Sequence, residues 1–415
     1  MKTVTLTLLL VLATLPAFAD SSGGINAPEQ RDKPYLILVS IDGFRWDFQD
    51  LHETPALDRI AANGVRAERM IPVFPTLTFP NHYSIATGLY PASHRLIGNR
   101  FPSKDRSRFY SLRDRDAVQD GTWYDGVPVW LAAEKAGMVT AAYYFVGTEA
   151  DVGGINMTYW HQFDASVPGN DRVDKAIEWL SMPAEKRPHM ITLYFEDVDT
   201  ATHRFAAGSP ESIAAVERVD GYLARLLEGL DPLPIADDIY IVIVSDHGQM
   251  AFAEGAFPFI ISDSVDLDGL TVVDHGASTY IYFPEPNRER AIAIRDKINA
   301  DWAHGKAMLR EDTPESWRAT EEAGFADVIL VGDPGYSALS LLRGQLSVKS
   351  THGWPPELEA MHGFFIASGP RLPKGQTTGP INAVDVYPLL MEILGLPITT
   401  PIDGDPSKLT GLLER

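Results

Sequence analysis

Apolar residues along this chain gather in two kinds of run. Short, almost unbroken segments at Tyr35–Ile41, Met190–Phe195 and Ile239–Val244 read as strands buried on both faces of a sheet. Longer segments repeat apolar residues at helical spacing and predict helices at Asp171–Leu180, with Trp179 on the core side, and at Pro210–Leu230. Together they predict an α/β fold: a central, mainly parallel sheet with helices on both faces. Between about 251 and 349 the pattern changes to a strand, a charged helix near Asn287–Trp302 and the run Val328–Val331. That change predicts a smaller inserted subdomain beside the main sheet, with the rim of a pocket as its possible role. No internal repeat or low-complexity segment interrupts the pattern.

Polar residues with metal-binding chemistry follow these strands. Asp42-Gly43 ends the first, and Asp246-His247-Gly248 follows the third after Ser245. Asp199 and His203 come just after the second, four residues apart, so one helical turn presents both on the same face. His352 stands ahead of a further apolar run, Gly363–Ala367. Open parallel sheets bind ligands beyond the carboxyl ends of their strands, so these side chains are expected to converge. Asp and His without cysteine suit a borderline metal such as zinc in a hydrolytic role. Each residue alone has a plainer reading, since an Asp at a strand end commonly caps a helix or forms a turn. The triplet also recurs as Asp274-His275-Gly276, but this copy precedes its apolar run, Ser278–Phe283, and the metal is assigned to the first copy.

The segment Phe74–Ser84 supplies a candidate nucleophile. Thr78 stands at the start of a predicted helix, where free N–H groups and the positive dipole end favour a phosphate. Capping alone would account for a threonine there. As a nucleophile near neutral pH its hydroxyl would need metal assistance.

The blocks Val39–Arg45, Phe74–Ser84, Thr87–Pro91, Ser245–Gly248 and Thr351–Gly353 resemble the nucleotide pyrophosphatase/phosphodiesterase family of the alkaline phosphatase superfamily. The resemblance runs in order from about Tyr35 to Leu396 and is strongest to compact bacterial members without accessory domains. It implies an alkaline phosphatase-like fold and two zinc ions, one on Asp199, His203 and His352, the other on Asp42, Asp246, His247 and the Thr78 oxygen. It implies hydrolysis of phosphodiester and phosphoanhydride bonds in nucleotides through a covalent nucleotidyl-threonine, releasing nucleoside 5′-monophosphates. Asn99 and main-chain amides would donate to the phosphoryl oxygens, Phe79 would pack on the base, and Tyr194 would line the nucleoside pocket. Leu112, Tyr159 and Phe163, with Trp160, would complete it. The chain departs from the family at Thr202, at His352-Gly353-Trp354-Pro355-Pro356 and at Phe145–Glu149, the last bearing on the pocket. Arg45 and Arg100 lie close to the site in sequence and leave diester against monoester preference open. The alternatives are a phosphomonoesterase or a glycerophosphodiester-type phosphodiesterase of the same superfamily, or a non-catalytic periplasmic nucleotide-binding protein.

Composition narrows the partners. A formal net charge of -21 argues against binding nucleic-acid polymers, which requires a basic face, but not against a small nucleotide at a metal site. Lys2, the apolar stretch Leu6–Leu15 and Ala17-Phe18-Ala19 predict a signal peptide over residues 1–19, and no later run is long enough to anchor the chain in a membrane. The chain has no cysteine, hence no disulfide and no lipoprotein anchor. The expected location is periplasmic or secreted, with the oligomeric state left open.

Overall fold

A computed structural model describes residues 24–341 and 348–413, so the expected signal peptide lies outside the described residues. The strand Tyr35–Ile41 occupies the middle of an eight-stranded sheet because its side chains are apolar on both faces. Leu36 and Leu38 point into one core, with Val242, Val244 and Phe365. Ile37, Val39 and Ile41 point into the other, with Ile241, Ile243 and Phe364. Alternation along one strand thus feeds two helical layers.

Across the sheet the strands run Gln376–Thr378, Gly64–Ala67, Phe365–Ser368, Ile239–Val244, Tyr35–Ile41, Met190–Phe195, Thr140–Tyr143 and Tyr159–Trp160. Pairing is parallel throughout except on the two sides of Phe365–Ser368, which runs antiparallel to both its neighbours. The helices Thr78–Thr87, Val129–Lys135 and Val386–Leu394 cover one face, and Pro55–Ala62, Gly169–Leu180 and Pro210–Leu230 the other. The two helices expected from periodicity are present, the first beginning at Gly169, two residues earlier than its pattern suggested.

The region after residue 251 builds a second sheet of four antiparallel strands, ordered Thr271–Asp274, Ser278–Tyr282, Val328–Gly332 and Gly305–Leu309. One of its faces packs under the Arg288–Asp301 helix around Ile294, Ile298 and Trp302. Tyr280 and Ile329 on the opposite face join the main core, near Phe74 and Phe325. Among the described residues no helix is long and apolar enough to cross a membrane.

Candidate active site

Three adjacent parallel strands end side by side, and their ends carry the acids. Ser40 is level with Tyr194 on one neighbour and with Val244 on the other. The next turn of chain therefore delivers Asp42, the helix bearing Asp199, and Asp246 to one edge. Gly43 makes this crowding possible: its φ of +68° suits glycine, its N–H donates to Asp246 Oδ1 at 3.1 Å, and a Cβ there would stand 3.0 Å from Asp199 Cα. Asp199 and His203 share a face of the helix Asp197–Phe205, as their spacing predicted.

The acids and imidazoles form two donor sets. Asp199, His203 and His352 bring ligand atoms within 4.8 Å of one another, and Asp42, Asp246 and His247 do likewise. Each of the three imidazoles directs Nδ1 at a main-chain carbonyl: His203 at Ser350 (2.7 Å), His247 at Gly248 (3.1 Å) and His352 at Thr76 (2.8 Å). Donation from Nδ1 leaves the Nε2 lone pair of all three turned to the donor sets. Asp42 Oδ1 and Asp246 Oδ2 are buried without hydrogen-bond partners. Orphaned carboxylate oxygens facing fixed imidazole lone pairs are a fit for a dication in each set.

Electrostatics in the bare site agree. Burial, followed by the charges of Asp246 and Asp199, pushes the Asp42 carboxyl well above the usual range. Burial also raises Asp199, against the pull of His203 and His247. At Asp246 burial is outweighed by His247, His82 and the Gly43 N–H, which hold it ionised. Burial, then the neighbouring His247 and His203, drives His352 well down. Crowded carboxyls whose ionisation burial opposes, beside an imidazole whose protonation burial opposes, are a set of donors suited to positive charge.

Supporting contacts fix the ligands. Gln249 donates to Asp199 Oδ1 and, at 3.2 Å, to the Asp199 carbonyl. Tyr194 donates to Asp42 Oδ2 at 2.5 Å. Buried Arg172 bonds both Glu196 oxygens and the Tyr194 carbonyl, pinning the turn that leads to Asp199. Thr76 receives the His352 N–H on its carbonyl, donates its hydroxyl to the Trp354 carbonyl and accepts the Gly353 N–H, so two distant loops are laced together.

Thr78 opens the helix Thr78–Thr87, and its Oγ1 lies 3.4 Å from His247 Nε2. One turn on, His82 accepts from the Ser40 hydroxyl and donates to the Thr78 carbonyl at 2.8 Å, holding the first turn against the sheet. Asn99 accepts the Phe79 N–H on Oδ1 at 2.9 Å, which turns its NH2 group the other way. The Phe79 amide, in the first turn of the helix, is thereby engaged by Asn99.

A cavity of about 200 Å3 opens beside Thr78. Phe79, Leu112, Phe163 and Tyr194 line it, in company with Asp42 and Asp199. Tyr159 does not: it sits in the edge strand and stacks on Trp179 at 6.3 Å, because the pleat turns it to the helical core. Its neighbour Trp160 packs against the opposite core. Their places are taken by Tyr144, Phe145, Val146, Arg115 and Glu149. Buried Glu149 accepts from Arg115, from Gln119 and from the Phe163 N–H, and so ties three segments of the wall together. The only sequence signal for this group was the atypical stretch Phe145–Glu149.

Arg45 and Arg100 do not enter the cavity. Arg45 forms a two-pronged pair with Asp47, and Arg100 lies over the Phe109 ring. Asp274 bonds Ser340, and with His275 it stands outside both donor sets.

Fold and site geometry define an alkaline phosphatase-like α/β protein. Murine ectonucleotide pyrophosphatase/phosphodiesterase 5, solved as an inactive variant in complex with AMP, superposes with a TM-score of 0.85 at 26% identity, covering 92% of this chain and all of that one. The human counterpart gives the same TM-score at 27% identity and the same coverage. Residues 36–364 match the type I phosphodiesterase / nucleotide pyrophosphatase family, and the chain belongs to it. Venom phosphodiesterase CdcPDE of Crotalus durissus collilineatus is 29% identical over 95% of this chain and 48% of its own length. An uncharacterized pyrophosphatase/phosphodiesterase of Schizosaccharomyces pombe is 30% identical over 87% of this chain and 77% of that protein. The chain spans about half the length of the venom relative and of mammalian family member 1.

Proposed function

We propose that this protein hydrolyses nucleotide phosphodiester and phosphoanhydride bonds with Thr78 as nucleophile, releasing nucleoside 5′-monophosphates. The observation that carries this reading is the position of Thr78: at a helix N-terminus, beside His247 of one donor set, and at the mouth of an aromatic-walled cavity.

Asp199, His203 and His352 would hold one zinc ion, and Asp42, Asp246 and His247 the other. When bound, the two ions supply positive charge for the entering and leaving oxygens of an in-line displacement and ease deprotonation of the Thr78 hydroxyl. Thr78 Oγ1 attacks phosphorus, the bond to the leaving oxygen breaks, and the nucleoside 5′-phosphoryl group is esterified to Thr78. Water then attacks the same phosphorus, and the Thr78–phosphorus bond breaks to restore the hydroxyl. The Asn99 NH2 donates to a non-bridging oxygen as charge develops, a kind of contact that contributes about 3 to 4 kcal/mol. Phe79 and Tyr194 offer aromatic surface to the nucleoside, where stacking contributes roughly 1 to 3 kcal/mol per base and tolerates any base.

Arginine placement favours diesters over monoesters. A monoester carries an extra negative charge that calls for a cationic partner, yet Arg45 is paired with Asp47 and Arg115 with Glu149. An apolar, aromatic cavity suits a nucleoside instead. The family relationship and the leader expected over residues 1–19 support a secreted or periplasmic enzyme.

Comparing a thymidine 5′-monophosphate aryl diester with an aryl phosphate monoester tests this reading, using zinc-loaded protein and its Thr78→Ala variant. A strong diester preference lost in the variant is expected. Equal or faster monoester turnover would move the chain to the phosphomonoesterase alternative.

A further inference from the structure

A second concavity begins at the opposite donor set. It measures about 480 Å3, and His203 forms part of its wall. Phe252, Phe257, Pro258 and Leu339 give it an apolar surface, and Lys349 and Glu254 are its charged side chains. Phe257 is 63% exposed and shares the groove wall with Phe252, Pro258 and Leu339. Phe252 is held edge-on against buried Trp354, two residues from His352.

The groove is joined to the active site through the backbone. A short antiparallel ladder pairs Met250–Ala251 with Ser350–Thr351. Gln249, just before one strand, bonds Asp199, and Ser350, within the other, accepts from His203, so both sides of the ladder touch the Asp199 set. Beyond the ladder the same chains supply Phe252 and Lys349, whose main-chain groups bond each other at 3.1 Å. The Lys349 N–H also donates to the His203 carbonyl at 2.7 Å.

In-line displacement places the leaving oxygen opposite the attacking one. Thr78 Oγ1 lies beside His247 of the Asp42, Asp246 and His247 set, and the nucleoside cavity touches both sets through Asp42 and Asp199, so a group departing opposite Thr78 exits on the side of Asp199, His203 and His352, where this groove starts. We infer that the groove is a leaving-group subsite selecting diesters whose leaving alcohol has an apolar or aromatic body. This rests on the reading of Thr78 as nucleophile. A polyphosphate would need a cluster of cations, and among the described residues that line the groove Lys349, opposed by Glu254, does not provide one. At more than twice the volume of the nucleoside cavity, the groove has room for a body such as a second nucleoside.

Thymidine 5′-phosphate esters of p-nitrophenol and of a second nucleoside, together with thymidine triphosphate, test the subsite in zinc-loaded full-length protein. For each substrate the kcat/KM of a variant is divided by that of the unaltered protein, which cancels intrinsic leaving-group reactivity. Phe257→Ala is expected to lower this quotient about five- to tenfold more for the two apolar leaving groups than for pyrophosphate. Phe257→Lys should shift the preference further toward the triphosphate. Quotients that are equal across the three substrates in both variants would overturn the subsite while leaving the nucleotide reading intact. No thymidine monophosphate release from any substrate by the unaltered protein would overturn both.

Discussion

Gln249 illustrates how a residue with no chemistry of its own decides the chemistry of another. Its amide meets both the carboxylate and the carbonyl of Asp199, so the acid enters its donor set with one orientation. Gln249→Met preserves volume and removes both bonds. Contacts of this kind typically change metal affinity by about 10- to 100-fold. Zinc affinity measured by competition with a chromogenic chelator should fall by that amount with the far-ultraviolet circular dichroism unchanged, and an unaltered affinity would show that Asp199 is held by other means. Tyr194 has a double position at the same scale, with its ring on the cavity wall and its hydroxyl on Asp42. The sequence could suggest only the first, because strand register, not local pattern, brings Tyr194 beside Asp42.

Elements show where reading from sequence succeeds and where it stops. Three apolar runs became three neighbouring parallel strands, and an i, i+4 Asp-His pair became one helical face, because periodicity is a local property. The antiparallel course of Phe365–Ser368 depends on partners far away in the chain, and the pairing of Thr140–Tyr143 with Tyr159–Trp160 depends on a register that no local pattern sets. The pleat of the edge strand sends Tyr159 to one core and Trp160 to the other, so neither reaches the pocket for which the sequence suggests them. Arg115 and Glu149, which help wall the cavity, come from segments with no shared pattern. Asp220 is a similar long-range case. Standing within the helix Pro210–Leu230, its carboxylate accepts the N–H groups of Ala56 and Leu57 and so closes the N-terminus of Pro55–Ala62, whose own Thr54 makes no side-chain cap. Asp220→Ala leaves two buried donors unmet and should cost about 1 to 3 kcal/mol, seen as a lower urea midpoint. An unchanged midpoint would mean that the helix start is satisfied without it.

At the scale of the whole molecule, buried histidines link stability to pH. His94 accepts the Leu96 N–H on Nδ1 and bonds Ser84 through Nε2, and burial lowers its pKa to about 3 from a normal 6.5. Burial, then the charge of Arg100, lowers His275 to about 3 as well. With folded values below unfolded ones, the unfolded chain binds more protons at pH values under about 6.5. The contribution to stability is therefore complete above that value and is lost progressively as pH falls toward about 3. Urea midpoints should drop between about pH 7.5 and about pH 5, less steeply in His275→Asn than in the unaltered protein. Parallel slopes would remove His275 from the explanation.

Reaction at Thr78 in two displacements is the central claim, and stereochemistry reads it directly. A thymidine 5′-phosphorothioate aryl ester of one configuration at phosphorus, hydrolysed in isotopically labelled water by the zinc-loaded protein, gives a product whose chirality records the number of inversions. Attack by Thr78 followed by water predicts net retention. Net inversion would mean that water attacks phosphorus directly, and would contradict a covalent nucleotidyl-threonine.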